Sequence, residues 1–339
     1  YLALIERSVQ HSDEAKSIAK QNNDHSGQVE ADLIIASSAI NQGRLEDMIA
    51  ATQDGMDLLV DFEREDLRSE MMFHAAMMYL RFGHFDEAVT VAMQSLDIAN
   101  NSTNPLAIAH AEHGVAVAFQ QSGLYAQANE HFQYMQKAAQ QSHSILLEAN
   151  ALLGQSSSVI SQGNIVEGEQ LSLKAIALLR RVDAPFFVSH ALFQLADLHL
   201  KNKQPGKALP LLNEDLGIYR KHRNPIGLWW SLNARSTVLQ ALGRLDDARG
   251  DAEIANGLAK KIGFTVYLAG SARRLAEVVA AQGDFHKAYN LSIQAIELKS
   301  KLEHENSSKR ILELAKHFQE ESKQRRIDAL TSHAELQDE

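Results

Sequence analysis

The chain has 339 residues, 45% of them apolar and 22% charged, with 18 Gly, five Pro and no Cys, which suits a folded helical protein and argues against disorder. Its net charge of -10 mixes both signs, so no basic face is ready to neutralise phosphates and nucleic acid is not an expected partner. The missing cysteine removes disulfide frameworks, thiolate nucleophiles and Cys-ligated zinc together, and no apolar run approaches the ~18 residues needed to span a membrane.

In chain order, the first feature is a helix-former over residues 1–20 with Ala19 near its end. The chain opens on Tyr1, as a processed form or an excised piece would, so its compartment is left to other evidence. From there a turn motif of the form Gly-x-apolar-x-x-small recurs: Gly43/Leu45/Met48, Gly83/Phe85/Ala88, Gly123/Tyr125/Ala128, Gly163/Ile165/Gly168, Gly243/Leu245/Ala248 and Gly283/Phe285/Ala288. Every interval is a multiple of 40 residues, and the vacant place falls at Lys203/Pro205/Ala208, where Pro205 is expected to hold the turn instead of a glycine.

Two further columns carry small residues at nearly every repeat. Seven places before each glycine position stand Ala36, Ala76, Ala116, Ser156, Ala196, Ser236 and Ala276; five places earlier stand Ala31, Met71, Ala111, Ala151, Ala191, Ser231 and Ser271. Small residues at helical spacing let two antiparallel helices approach closely, and the glycine supplies the backbone angles of the turn between them. One such pair cannot bury its apolar face alone, so the pairs stack and leave a concave side.

The expected first helices cover 26–42, 66–82, 106–122, 146–162, 186–202, 226–242 and 266–282, and their partners run from each turn to about 60, 100, 140, 180, 220, 260 and 300. Asn104-Pro105, Ala184-Pro185 and Asn224-Pro225 mark connectors, because proline begins a helix cleanly and forbids continuation of the preceding one. Ala19 shares a column with Ala99, Ala139 and Ala259, so residues 1–25 are expected to hold the second helix of a preceding repeat.

After about residue 305 the pattern stops, since the next glycine position would be Lys323. Residues 306–339 form a charged helix-former with Ile311, Leu314, Phe318, Ile327, Leu330 and Ala334 in partial 3-4 alternation and a polar gap at Ser322 to Arg326. Two expectations stand for it, a capping helix over the last repeat and a signalling linker.

Small residue, glycine, aromatic and alanine at these offsets resemble the tetratricopeptide repeat over residues 26–300 or so, with a period longer than that family's common one. The resemblance implies an all-α right-handed α-solenoid of about seven helix hairpins over 26–305. Longer-helix arrays of this kind resemble those of bacterial regulators, including peptide-sensing ones, and the segment from Glu313 to Leu336 resembles the linker that leads to a diguanylate cyclase or histidine kinase domain. The function so implied is a protein- or peptide-binding module of a bacterial signal-transduction pathway, cyclic-di-GMP or two-component. It would be cytoplasmic, or else the periplasmic sensor part of a membrane protein. The alternative is an assembly scaffold that dimerises through its ends or its C-terminal helix.

On that alignment the concave side receives residues thirteen, ten and six places before each glycine position. The outermost column is Glu30, Glu70, His110, Asn150, His190, Trp230 and Gly270; the middle one Leu33, Phe73, His113, Leu153, Phe193, Asn233 and Arg273; the inner one Ser37, Met77, Val117, Ser157, Asp197, Thr237 and Glu277. Asn150, Gln194 and Asn233 suit a peptide backbone because an amide both donates and accepts. Trp230 offers a large rigid contact, Arg273 and Arg274 a fork for a carboxylate or phosphate, and His110, His113 and His190 polar lining.

No cofactor is expected, since the glycines are used in turns and no phosphate-cradling loop occurs. The 15 histidines form no metal-ligand pattern: His110 and His113 share a face, but His190 lies two repeats away from them. No catalytic motif appears, so the chain is expected not to be an enzyme; a phosphatase-like regulator acting through Gln194 or Asp197 rests on resemblance alone.

Overall fold

The computed structural model describes residues 2–42, 45–59, 64–81, 84–102 and 104–306, which form fifteen α-helices and no strand among them. The helices are α1 (Leu2–Gln21), α2 (His25–Gln42), α3 (Leu45–Leu58), α4 (Glu65–Arg81), α5 (Phe85–Ser102), α6 (Pro105–Gln121), α7 (Tyr125–Gln141) and α8 (Ile145–Ser161). They continue as α9 (Ile165–Arg181), α10 (Pro185–Lys201), α11 (Pro205–Lys221), α12 (Pro225–Ala241), α13 (Leu245–Ile262), α14 (Thr265–Ala281) and α15 (Phe285–Asn306). The expected first helices are each found, shifted by one residue.

The termini explain this regularity. From α6 to α14 most helices close with a residue in the left-handed region, and the amide beyond it returns to a carbonyl of the last turn, as Leu124 N–H does to Phe119 O at 2.9 Å and Asn164 N–H to Val159 O at 2.9 Å. Pro105, Pro185, Pro205 and Pro225 each occupy the first turn of their helix, and Asn104, Ser144, Asn164 and Asn224 accept from its free amides. Gly123, Gly163, Gly243 and Gly283 take positive φ within the hairpins, as their repeat implies. At the vacant position the expectation needs correction: Lys203 itself adopts φ 57°, and Pro205 starts the next helix without replacing the glycine. The turns between hairpins use the same conformation at His143, Asp183 and Arg223, so both kinds of connection are one turn repeated. Gly43 and Gly83 lie outside the described residues.

Side-chain size then sets the packing. All seven members of both small columns are buried, and so are Met48, Ala88, Ala128, Gly168, Ala208, Ala248 and Ala288 on the facing helices. Where serine replaces alanine its hydroxyl is satisfied across the hairpin: Ser156 Oγ donates to Gly168 O and Ser236 Oγ to Ala248 O, both at 2.7 Å. Each hairpin also packs its second helix on the next first helix, and first helices touch one another along α2, α4, α6 and α8 and again along α10, α12 and α14. The result is a tetratricopeptide-like all-α solenoid whose core is a chain of local clusters rather than one centre.

At the first end α1 lies on α2, with Ala19 buried like Ala99, Ala139 and Ala259. Lys16 of α1 ties it down, reaching Asp32 at 2.6 Å and Asp54 at 2.7 Å. No described helix is long and apolar enough to cross a membrane. The charged segment 307–339 lies outside the described residues, as does any dimer contact expected of it.

Candidate ligand groove

The three columns converge where the first helices line up. Over α8, α10, α12 and α14 two adjoining cavities of about 410 and 330 Å³ share Phe193 and Asp197, so they form one groove. The larger lies between α8 and α10, walled by Leu153, Ser157, Ser161, Gln194 and Lys201. The smaller lies between α10, α12 and α14, walled by Trp230, Asn233, Thr237, Arg273, Arg274 and Glu277.

The two adjacent tryptophans divide the labour. Trp229 is buried, donates from Nε1 to Ser271 Oγ at 2.6 Å, and fills the gap between hairpins. Gly270 makes room for it, since a Cβ there would come within 2.9 Å of the indole ring. Trp230 stays 50% exposed beside it, held edge-on by Trp229 at 4.9 Å and by Phe193 at 6.5 Å. A large aromatic surface thus stands open in the groove without freedom to collapse.

Asn233 is half-buried below it. Its Nδ2 donates to Trp229 O at 2.7 Å, while its Oδ1 is buried with no donor. A buried acceptor left unpaired costs roughly 1–3 kcal/mol. Arg273 is exposed and pairs loosely with Glu277 at 3.7 Å. Arg274 differs from its sequence expectation: it is buried, bonded to Ser236 Oγ at 3.0 Å, Glu277 at 2.7 Å and Gln240, so its fork clamps α12 to α14 and is not open to a ligand. Asp197 is paired with Lys201 at 2.7 Å.

Gln194, Trp230, Asn233, Arg273 and Arg274 therefore meet around the groove. Asn150, half-buried on α8, and His190, exposed and 3.3 Å from Gln194, line neither cavity. His110 and His113 belong to a separate cluster on α4 and α6. There His113 stacks on Phe73 at 5.6 Å and tilts against Phe132 at 6.3 Å. His74, buried beside them, contacts Ser37 at 3.1 Å. Burial, with His110 nearby as a smaller cause, pushes the pKa of both His74 and His113 down to about 4. Both are therefore neutral packing residues at ordinary pH, a role the column reading did not assign to His113.

The column reading also missed Ser156, Ser161, Ile160 and Lys201 in the larger cavity. Its readable signal was the serine-rich stretch from Ser156 to Ser161, where short side chains leave the space between α8 and α10 unfilled. Among the described residues no three His, Asp or Glu side chains gather into a metal-binding group.

No protein-family model and no curated protein matches the chain. Solved structures match it in fold. A Rap protein complexed with competence and sporulation factor is 16% identical, the match covering 89% of this chain and 87% of that one with a TM-score of 0.61. A signal transduction ATPase with a tetratricopeptide repeat sensor from Pyrococcus horikoshii is 16% identical over 86% of this chain and 44% of that one, with a TM-score of 0.61. The Rap conjugation gene regulator of the plasmid pLS20, in complex with the Phr* peptide, is 12% identical over 85% and 78%, with a TM-score of 0.58. At these identities the likeness is one of fold.

Proposed function

We propose that the groove over α8 to α14 binds an extended peptide or a partner's extended segment, and that the array is a recognition module in bacterial signal transduction. The observation that carries this is the continuous groove in which Trp230, held edge-on by Trp229 and Phe193, stays half-exposed. An extended chain offers apolar side chains for the pocket beside Trp230 and Phe193, and backbone groups for the exposed polar side chains of the wall such as Gln194. Arg273, held by a single loose ion pair, is the cation available to a ligand carboxylate. Two of the fold neighbours were solved with a factor or peptide bound, which fits this reading for a chain of the same architecture.

In this reading residues 1–25 are a partial repeat, 26–305 the binding array, and 306–339 the element coupling it to an output such as a cyclic-di-GMP or two-component pathway. The setting is cytoplasmic, or periplasmic in a membrane-anchored sensor. Binding, not catalysis, is the activity. An assembly scaffold is the second reading, favoured by the apolar residues that α15 leaves exposed.

Trp229 and Trp230 are the chain's two tryptophans, so indole emission reports on the groove directly. Titration with a positional-scanning hexapeptide library is expected to shift that emission for a defined subset. Trp230→Ala should weaken the selected peptide by ~30-fold, about 2 kcal/mol, with helical circular dichroism unchanged. Selected peptides that bind Trp230→Ala and Asn233→Ala as tightly as the parent chain would remove the groove from consideration.

A further inference from the structure

The signs of charge that alternate along the chain are sorted by the fold. Where α9, α11 and α13 end and α10, α12 and α14 begin, the connections line up along one edge of the solenoid. Arg180 and Arg181 close α9, Arg220 and Lys221 close α11 with Arg223 in the turn beyond, and Lys260 and Lys261 close α13. Arg180 pairs with Glu214 at 2.6 Å. The other six are exposed and pair with no carboxylate among the described residues. Besides Glu214, Asp183 is the one exposed acid at these helix ends and turns. Complementing the helix dipole does not account for the pattern, because α8, α12 and α14 end at the opposite edge with no cation in the last turn. That edge is mixed in sign: Glu167 opens α9, Asp246 and Asp247 open α13, and Lys201 and Arg244 pair with Asp197 and Asp247, each at 2.7 Å.

Apolar tips stand among these cations. The second residue of α8, α10, α12 and α14 is Leu146, Phe186, Ile226 and Val266, and all but Ile226 are exposed. Phe186 lies against Tyr219 and His222, ring centres 6.1 and 5.1 Å away, which keeps it at the seam. Phe187 at 44% and Phe264 at 49% exposure project beside it, and none of these residues lines either groove cavity. We propose that this edge docks on an anionic lipid bilayer. Cations alone would suit any polyanion, whereas exposed aromatic and aliphatic tips between them match a surface with headgroup phosphates outside and an acyl layer beneath. A chain of net charge -10 is repelled by such a surface in other orientations, so the attraction also sets which edge faces it. The docking is peripheral, in keeping with described helices too short or too polar to cross a membrane. It needs no groove ligand.

Co-sedimentation of the full chain with vesicles tests it. The chain is expected to bind vesicles of phosphatidylglycerol mixed with phosphatidylcholine, to ignore phosphatidylcholine alone, and to be released as salt is raised. Each cation removed should cost about fivefold in affinity, so Lys260→Gln with Lys261→Gln should weaken binding ~25-fold with helical circular dichroism unchanged. Phe187→Ser should weaken it as well, at every salt concentration, whereas Lys203→Gln with Lys207→Gln on the opposite edge should leave it as it is. Failure to bind the mixed vesicles, or an equal loss from the opposite-edge pair, would overturn the proposal. Release by inorganic phosphate would reassign the cations to a free anion, and capture on poly-glutamate in place of vesicles would assign the edge to an acidic protein; either result also overturns it.

Discussion

Asp215 shows what a single residue can cost this fold. It is fully buried on α11, accepts from Ser231 Oγ at 2.5 Å, and leaves Oδ1 without a donor. Burial pushes its carboxyl up from 3.8 to about 6, with the Ser231 and Ser189 hydroxyls pulling the other way. An acid whose pKa is raised by folding stabilises the native state below its unfolded pKa, and that contribution is lost as pH rises through about 6. Asp215→Asn should therefore be more stable than the parent chain at pH 8, by ~2–3 kcal/mol at most, with the gap closing toward pH 4 in urea titrations. His74 and His113 work in the opposite sense: their folded pKa of about 4 lies below the unfolded 6.5, so their contribution is present above 6.5 and lost as pH falls toward 4. A gap that widens toward acid would refute the assignment for Asp215. Nothing in the local sequence marks Asp215 as buried, because its column holds Ala175, Met135 and Ala255 in other repeats and only alignment reveals the oddity.

Between elements, neighbouring arginines on α14 do different jobs. Arg273 is exposed with one loose partner, while Arg274 is buried and holds Ser236 and Gln240 of α12 together with Glu277. Removing Arg274 strands those partners, so Arg274→Ala should destabilise the chain by ~2–4 kcal/mol, and Arg273→Ala by less than ~0.5 kcal/mol. Equal losses in thermal or chemical unfolding would contradict the clamp. The adjacent pair reads alike in sequence as a fork for an anion. A one-residue step on a helix turns a side chain by about 100°, and here that rotation moves the guanidinium from solvent into the contact between hairpins. The helix boundaries were far more legible: proline, asparagine and glycine act through local backbone geometry, and the expected first helices are off by a single residue. The conformation of Lys203 was not legible, since a lysine in the left-handed region is tolerated only because the flanking helices impose the turn.

For the whole molecule, stability is spread over neighbour contacts, with clusters strung along the array and no shared centre. Native-state hydrogen exchange should therefore be graded, slowest across α6 to α13 and faster toward α1 and α14, and a uniform all-or-none pattern would argue against quasi-independent hairpins. The groove is likewise a property of the array, since its wall is shared among the first helices α8, α10, α12 and α14 of four successive hairpins and no one of them encloses it.

From the amino-acid order alone came the period, the hairpins and the small-residue contacts, because each depends on spacing within one or two helices. Which inward residues meet depended on tertiary structure. The spacing between α8 and α10, the wedging of Trp229 against Gly270 and the engagement of Arg274 arise from packing between hairpins, where side-chain volume and rotation decide what stays open.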